Sequence, residues 1–366
     1  MSSASDQGRP DSVELAEPDH SPQAEQRFQA FPLPHNASAS SLEADTEGDD
    51  EVACSIDSAI DSWRSARTQS VTSSAAAFQY ENGRRYHSYR EGSYHLPNDE
   101  NEQDRLDMQH HLYRIALDDR LFLAPLAKEK VRSVLDVGCG TGLWCIDVAD
   151  EIPNAQILGS DLSPIQPGMV PPNCKFIVDD CNSDWLFDEK FDLIHTRAMT
   201  PGMKDWPRYV RQAFDHLKPG GYIELHEIYI PICYAKDAND TIPKFVQWSH
   251  ELIGAGSKVG LDFMAAKKVG EMLQDAGFVD INVRWQNWPV GPWAKGEKNK
   301  IIGRWWAEDL QDAVRNTAAL FTRVLGWKPE EVEVYAATIA NEIKSGNRHM
   351  WTEMCFAYAR KPGVSE

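Results

Sequence analysis

Apolar and polar positions divide the chain into an unpatterned stretch and a patterned one. Over residues 1–76 apolar side chains are sparse and keep no sustained period, while Ser, Ala, Asp, Glu and Pro dominate. Such a stretch cannot bury enough surface to offset its ordering entropy, so residues 1–77 are expected to form a disordered tail. Within it, Ala59, Ile60 and Trp63 have helical spacing and suit a short docking helix over Ile56–Trp63. Order should begin at Phe78. Leu106, His110, Tyr113 and Leu117 share one helical stripe, widened by Met108, Leu112 and Ile115. Asn98 or Asp99 is placed to cap that helix, and its acidic first turn complements the helix dipole.

From Val131 short apolar runs alternate with helical or loop stretches. The runs are Val131–Val137, Gln156–Ser160, Lys175–Val178, Phe191–His195 and Gly221–Glu227, followed later by Phe278–Arg284 and Thr352–Arg360. This alternation predicts a doubly wound, mostly parallel α/β sheet. Lys218-Pro219-Gly220-Gly221 is a tight turn that delivers the fifth strand, and Met264–Ala276 is an amphipathic helix stopped by Gly277. Two insertions interrupt the pattern. Ile228–Asp262 contains a helix predicted over Thr241–Leu252. Residues 285–351 contain two more, one over Pro329–Lys344, and open with Trp285, Trp288, Trp293, Trp305 and Trp306. A helical insert beyond strand ends makes a lid and a pocket wall, so these aromatics either line an apolar pocket or pack the lid.

Charge and composition narrow the partners. The net charge is −19, and residues 1–62 hold −12 of it, fourteen Asp/Glu against two Arg. The remaining −7 repels a phosphate backbone, so direct nucleic-acid binding is not expected. Ser38–Ser41 and the acidic run Asp45–Glu51 suit either a phosphorylatable, partner-binding tail or a merely solubilising one. No run of about 18 apolar residues is present, so no membrane span is expected. The first residues lack the basic and apolar regions of a secretory signal. Seven cysteines without a Cys-x-x-Cys pair point to reduced thiols in a nuclear or cytoplasmic setting, with no metal site.

The chemistry concentrates at Val134–Gly142, a strand, a glycine turn and a helix start. Glycines stand at 138, 140 and 142, whereas a dinucleotide fingerprint would need its third glycine where Leu143 stands. No Lys-Ser/Thr follows, so the turn is not a phosphate-gripping P-loop. Ligands of open α/β sheets sit at the carboxyl ends of the strands, which selects candidates by position. Asp161, with Leu162, follows the second strand, nineteen residues beyond Gly142; it suits a pair of ribose hydroxyls or a cap on the Ser163-Pro164 turn. Asp180 and Cys181 follow the third, with Asp179 in reserve, because two adjacent acids cannot both point inward. His195 and Arg197 follow the fourth: His195 is a general base or a ring packed on the ligand, and Arg197 binds a substrate carboxylate or pairs with a core acid. After the fifth strand Glu224 and His226 share one face and Glu227 takes the other; His226 and Glu227 are candidate acid–base groups.

An acid at the strand end followed by Gly-x-Gly-x-Gly resembles motif I of class I S-adenosylmethionine-dependent methyltransferases. There Asp136 suits the cationic end of S-adenosyl-L-methionine, and the amides at Gly138, Cys139, Gly140 and Gly142 suit its polar edges. The likeness extends well past this turn. Tyr80–His87, Leu96-Pro97-Asn98-Asp99-Glu100, Asp107 with His110-His111, Asp161–Pro167, Asp205–Arg208, Pro289–Trp293 and Leu325-Gly326-Trp327 together resemble the fungal LaeA-like methyltransferases. That resemblance implies a Rossmann-like class I fold: seven strands, the last antiparallel, a helical insert between strands six and seven, and an N-terminal helical cap over 78–125. It also implies bound S-adenosylmethionine, with Tyr86, Tyr94 and the Asn98–His111 region closing over it. The family divides between enzymes that methylate a metabolite and nuclear regulators that partner velvet-type proteins. The expected acceptor is therefore a small metabolite or a protein, with a regulatory scaffold as the alternative.

Overall fold

The computed structural model describes residues 42–44, 78–87, 94–236 and 241–364. The strands β3 (Ser133–Val137), β4 (Gln156–Asp161), β5 (Cys174–Val178), β6 (Phe191–Arg197), β7 (Leu217–Tyr234), β8 (Val279–Val290) and β9 (Met350–Arg360) form one sheet in the order β5-β4-β3-β6-β7-β9-β8. β3 to β7 pair in parallel, and β9 runs antiparallel to both β7 and β8. Every residue of β3 is buried, as a central parallel strand covered on both faces requires. Helix α2 (Leu143–Glu151) lies on one face, while α3 (Trp206–His216) and α5 (Val269–Asp275) lie on the other. This is the seven-stranded, mostly parallel class I architecture with its last strand reversed.

A third apolar core sits beyond the sheet proper. Helix α1 (Glu100–Ala116), α4 (Lys244–Lys258), α6 (Glu297–Asn316) and α7 (Pro329–Ser345) pack there on the far ends of β7 and β8 and the start of β9. The two insertions are thus one structural layer, although they are separate in sequence. Their bounds differ from the sequence reading. β7 continues through Ile228, Ile230 and Ile232 to Tyr234, and the helix after it starts at Lys244. Pro231 brings no N–H to the ladder, and the β7–β9 register shifts between Tyr229 and Cys233. That proline hides the continuation of the strand. β8 likewise runs to Val290, so the second insert occupies residues 291–349.

The N-terminal segment is stitched to α1 by ions. β1 (Gln79–Glu81) and β2 (Arg84–Tyr86) form a hairpin. Arg84 forks onto Asp99, which also caps α1 by accepting from Glu102 N at 3.1 Å. Arg85 reaches Asn98 and Glu100. These contacts explain why Arg84-Arg85 and Asn98-Asp99-Glu100 occur together. Leu42–Ala44 is the described part of the expected tail: Ala44 bridges Ala294, and Lys295 N donates to Glu43 O at 2.6 Å. The rest of residues 1–77, including the docking helix expected over Ile56–Trp63, lies outside the described residues.

Candidate active site

The glycine turn joins β3 to α2, and at two of its glycines a Cβ would run into a neighbouring side chain. Gly138 has φ +73°, and a Cβ there would stand 2.0 Å from Met199 Sδ. Gly142 has φ +81° and caps α2, where a Cβ would meet Phe176 Cζ at 2.4 Å. The turn is fastened from the next strand. Gly138 N and Cys139 N donate to Ser160 O, and Gly140 N donates to Asp161 Oδ2 at 2.9 Å. Asp161 Oδ1 accepts from Ser163 N at 2.9 Å, so the turn-capping role is occupied as well. Burial lifts the Asp161 carboxyl to about 6.

One cavity opens beside this turn. Tyr94, Asp136, Gly138, Cys139, Gly140, Asp161, Leu162, Cys181 and His195 all line it, and Arg197 joins them. Asp136 Oδ1 lies 2.8 Å from His195 Nδ1, which places the Nδ1 proton between them. The His195 ring stacks on Trp144 at 3.8 Å and 5°. Its Nε2 has no hydrogen-bond partner among the described residues. Arg197 donates to His110 Nδ1 at 3.2 Å and covers the Tyr113 ring. His110 therefore carries its proton on Nε2, toward Asp147 at 3.0 Å, and burial lowers its pKa to about 4. Burial pushes the Cys139 thiol up to about 11 and the Cys181 thiol to about 12, so neither is a thiolate nucleophile at neutral pH.

Five expected site residues stand outside the cavity wall. Gly142 acts one step back, as the cap of α2. Asp180 turns its carboxylate into its own loop, accepting from Asn182 N at 2.9 Å, and Asp179 lines the cavity instead. Tyr86 is buried under the Arg323 guanidinium, where the hairpin docks. His226 is sealed in the sheet with its Nε2 2.6 Å from Glu224 Oε1. Glu227 accepts from Met199 N, Thr200 N and Thr200 Oγ1, and so braces the turn after β6 at Ala198, whose φ is +54°. Expected as acid–base groups, neither lines the cavity: His226 turns its Nε2 to Glu224 of its own strand, and Glu227 turns its carboxylate to the segment after β6.

Glu227 makes a pH prediction. Burial raises its folded-state pKa from 4.5 to about 7. Between those values the native state holds a proton that the unfolded chain has lost, so this group's stabilisation is full at the acid end and falls as pH rises. Melting temperature measured for wild type minus Glu227→Gln should decline from about pH 4.5 to about pH 7 and then level off. A difference that is flat across that window would show that Glu227 is ionised throughout.

The comparisons with known proteins agree with this geometry. A methyltransferase-domain family matches residues 108–283. The chain is 42% identical to the methyltransferase pytC of Aspergillus terreus over 80% of this chain and 91% of that one. It is 36% identical to the secondary metabolism regulator laeA of Aspergillus fumigatus, over 77% and 76%. It is 35% identical to the protein-methionine methyltransferase laeA of Emericella nidulans, over 78% and 77%. The chain belongs to the LaeA-like fungal class I S-adenosylmethionine-dependent methyltransferases. Within that family it is more similar to pytC than to these laeA proteins.

In this LaeA-like methyltransferase a Cβ at Gly138 or Gly142 would press on Met199 or Phe176, so these two glycines let the turn pack against the side chains beside it. The same cavity continues away from the turn into an apolar chamber. Ile228, Ile230 and Ile232 of β7 project into it with strand periodicity, opposite Trp248 of α4, Phe263 and Leu310 of α6. Of Trp285, Trp288, Trp293, Trp305 and Trp306, Trp306 alone lines the cavity. Trp288 and Trp305 are buried packing residues, Trp293 stacks on His349, and Trp285 lies under Lys267. The wall between the two halves carries a charge cluster that sequence reasoning missed. Arg105 forks onto Glu102, both bonds 2.8 Å, and donates to Asp309 Oδ1 at 2.9 Å. Asn316 bonds Glu102 and accepts from Arg84 at 2.7 Å. The available signal was the polar spacing itself: 102, 105 and 109 share one face of α1, and 309 and 316 share one face of α6. Among the described residues, no helix is long and apolar enough to cross a membrane, and no cluster could hold a metal ion.

Proposed function

We propose that this methyltransferase acts on a small, largely apolar metabolite that occupies the chamber beneath the inserted helices. The observation that carries this reading is the continuity of one cavity from Gly138–Gly140 to the wall of Ile228, Ile230, Ile232, Trp248, Phe263 and Leu310. A molecule seated there would share an enclosed space with the glycine turn. We assign the cofactor to the turn side, with Asp136 at its cationic end, Asp161 at its ribose, and Tyr94 and Leu162 against its body. S-adenosylmethionine supplies a methyl group on a good leaving group. The protein's own task is then alignment and exclusion of water, which α1, α4 and α6 serve as walls.

The test is direct. Supply methyl-labelled S-adenosylmethionine to the protein with a fungal extract, then separate small molecules from proteins. Label in the small-molecule fraction is expected. Label confined to protein would favour the activity in the name of the Emericella nidulans relative. No label in either fraction would favour a regulatory scaffold with velvet-type partners. Cofactor assignment has its own check by calorimetry. Asp161→Ala removes both a carboxylate of the wall and the anchor of Gly140 N, and should weaken S-adenosylmethionine binding about tenfold or more. Equal affinity in the two proteins would remove Asp161 from the site.

A further inference from the structure

Of the residues lining this cavity, His195 and Asp309 carry buried side-chain atoms with no hydrogen-bond partner among the described residues. His195 belongs to the turn end, where Asp136 holds it. Asp309 belongs to the other half. Its helical neighbours Trp306, Leu310 and Ala313 line the chamber, and they are apolar. Asp309 is fully buried. Arg105 and Gln109 hold its Oδ1, and Oδ2 is left over. The other polar groups of that wall are satisfied: Trp306 Nε1 donates to Thr352 Oγ1 at 3.0 Å, and Trp248 Nε1 donates to Thr317 Oγ1 at 3.3 Å.

We propose that Asp309 anchors the methyl acceptor: its Oδ2 takes a hydrogen bond from a hydroxyl or amine of an otherwise apolar molecule, and the chamber rejects carboxylates. This deepens the small-metabolite reading and rests on it. A buried carboxylate oxygen without a donor is destabilising until something supplies one. Burial lifts the Asp309 carboxyl to about 6, in keeping with that shortage of donors. The cluster around it cannot correct the imbalance. Among the described residues Arg105 is the one cation in direct contact, and it already serves Glu102 with two bonds and Asp309 with one. Two carboxylates against one guanidinium leave an excess negative charge, which repels an anionic acceptor and attracts an O–H or N–H. Arg197 is the cation on the opposite, turn-side wall. It is already donating to His110 and covering Tyr113.

Three probes of one shape separate the possibilities: 2-naphthol, 2-methoxynaphthalene and 2-naphthoate. Each is titrated at about pH 8 into the full-length protein loaded with S-adenosylhomocysteine, where Asp309 is ionised. 2-Naphthol should bind about tenfold or more tightly than the ether, which cannot donate, and naphthoate should bind weakest. In Asp309→Asn the amide N–H faces the same space and the preference for naphthol over ether should vanish. Asp309→Ala, which leaves Arg105 paired with Glu102, should behave alike and guards against misfolding of either variant. S-Adenosylmethionine affinity should stay within about twofold in both, as expected for separate sites. Equal binding of naphthol and ether to the wild type, or a preference that survives both substitutions, would overturn the role of Asp309 while leaving the chamber reading intact. Tightest binding of naphthoate would hand recognition to Arg197. Loss of S-adenosylmethionine affinity with naphthol preference retained would place Asp309 in the cofactor site. Binding of none of the three probes would remove the chamber reading, and this proposal with it.

Discussion

Arg105→Met should destabilise the protein by about 3–5 kcal/mol, the usual consequence of stripping one partner from a buried ion cluster. The methionine fills the volume but leaves Glu102 without its fork and Asp309 without its main donor. Asn316 still reaches Glu102, and Gln109 still lies 3.5 Å from Asp309 Oδ1, but neither brings charge. For an ordered part of this size the loss corresponds to a fall in melting temperature of roughly 10 °C. The sign of its pH dependence follows from burial. Burial already raises the Asp309 carboxyl, and without the guanidinium it keeps its proton in the native state to still higher pH, so the deficit should be largest near about pH 8 and shrink toward about pH 5. Thermal denaturation of both proteins at those two pH values checks it. A small deficit, identical at both, would mean that the cluster is solvated rather than buried.

Glu224→Ala should cost about 4 kcal/mol, because three donors lose one carboxylate at once. Leu123 N and Ala124 N each donate to Glu224 at 2.7 Å, and His226 Nε2 lies 2.6 Å from it. The His226 contact is strong enough to hold the Glu224 pKa below the ordinary carboxylate range despite burial that raises it. The substitution therefore releases the segment at 121–124 that follows α1. His226→Phe separates this role from catalysis. The ring sits among Tyr113, His195 and Phe356, so a phenyl group keeps those ring contacts while giving up the bond to Glu224. That variant should keep S-adenosylmethionine affinity, and whatever turnover the wild type shows, per folded molecule. Complete loss of turnover in a folded His226→Phe protein would return His226 to the chemistry.

The glycine turn, the mostly parallel sheet and the edge at which the ligand site forms were all legible. Period-two apolar runs separated by helical stretches leave a parallel sheet as the economical arrangement, and parallel strands bring their carboxyl ends to one edge whatever the inserts do. Asp136, Asp161 and His195 therefore reached the cavity by position, without knowledge of any distant contact. The next level of detail was not legible. Asp179 and Asp180 are neighbours, and the Asn182 amide in the loop beyond selects which of them turns inward. His226 stands at a strand end like His195, yet Glu224 two residues earlier claims it. Ile228, Ile230 and Ile232 looked like the start of a loop, because Pro231 interrupts a strand whose partner lies more than a hundred residues later.

By itself, then, the sequence determined the fold, the cofactor turn and the family, because hydrophobic periodicity and glycine spacing are local properties that survive in any packing. Only the tertiary structure decided the apolar chamber and its charge cluster. Arg105 meets Asp309 across a separation of 204 positions, and Asn316 meets Glu102 across 214. Each of those polar residues alone looks like a solvated helix face. They become a site when α1 and α6 close on each other and remove the water that would otherwise have satisfied them.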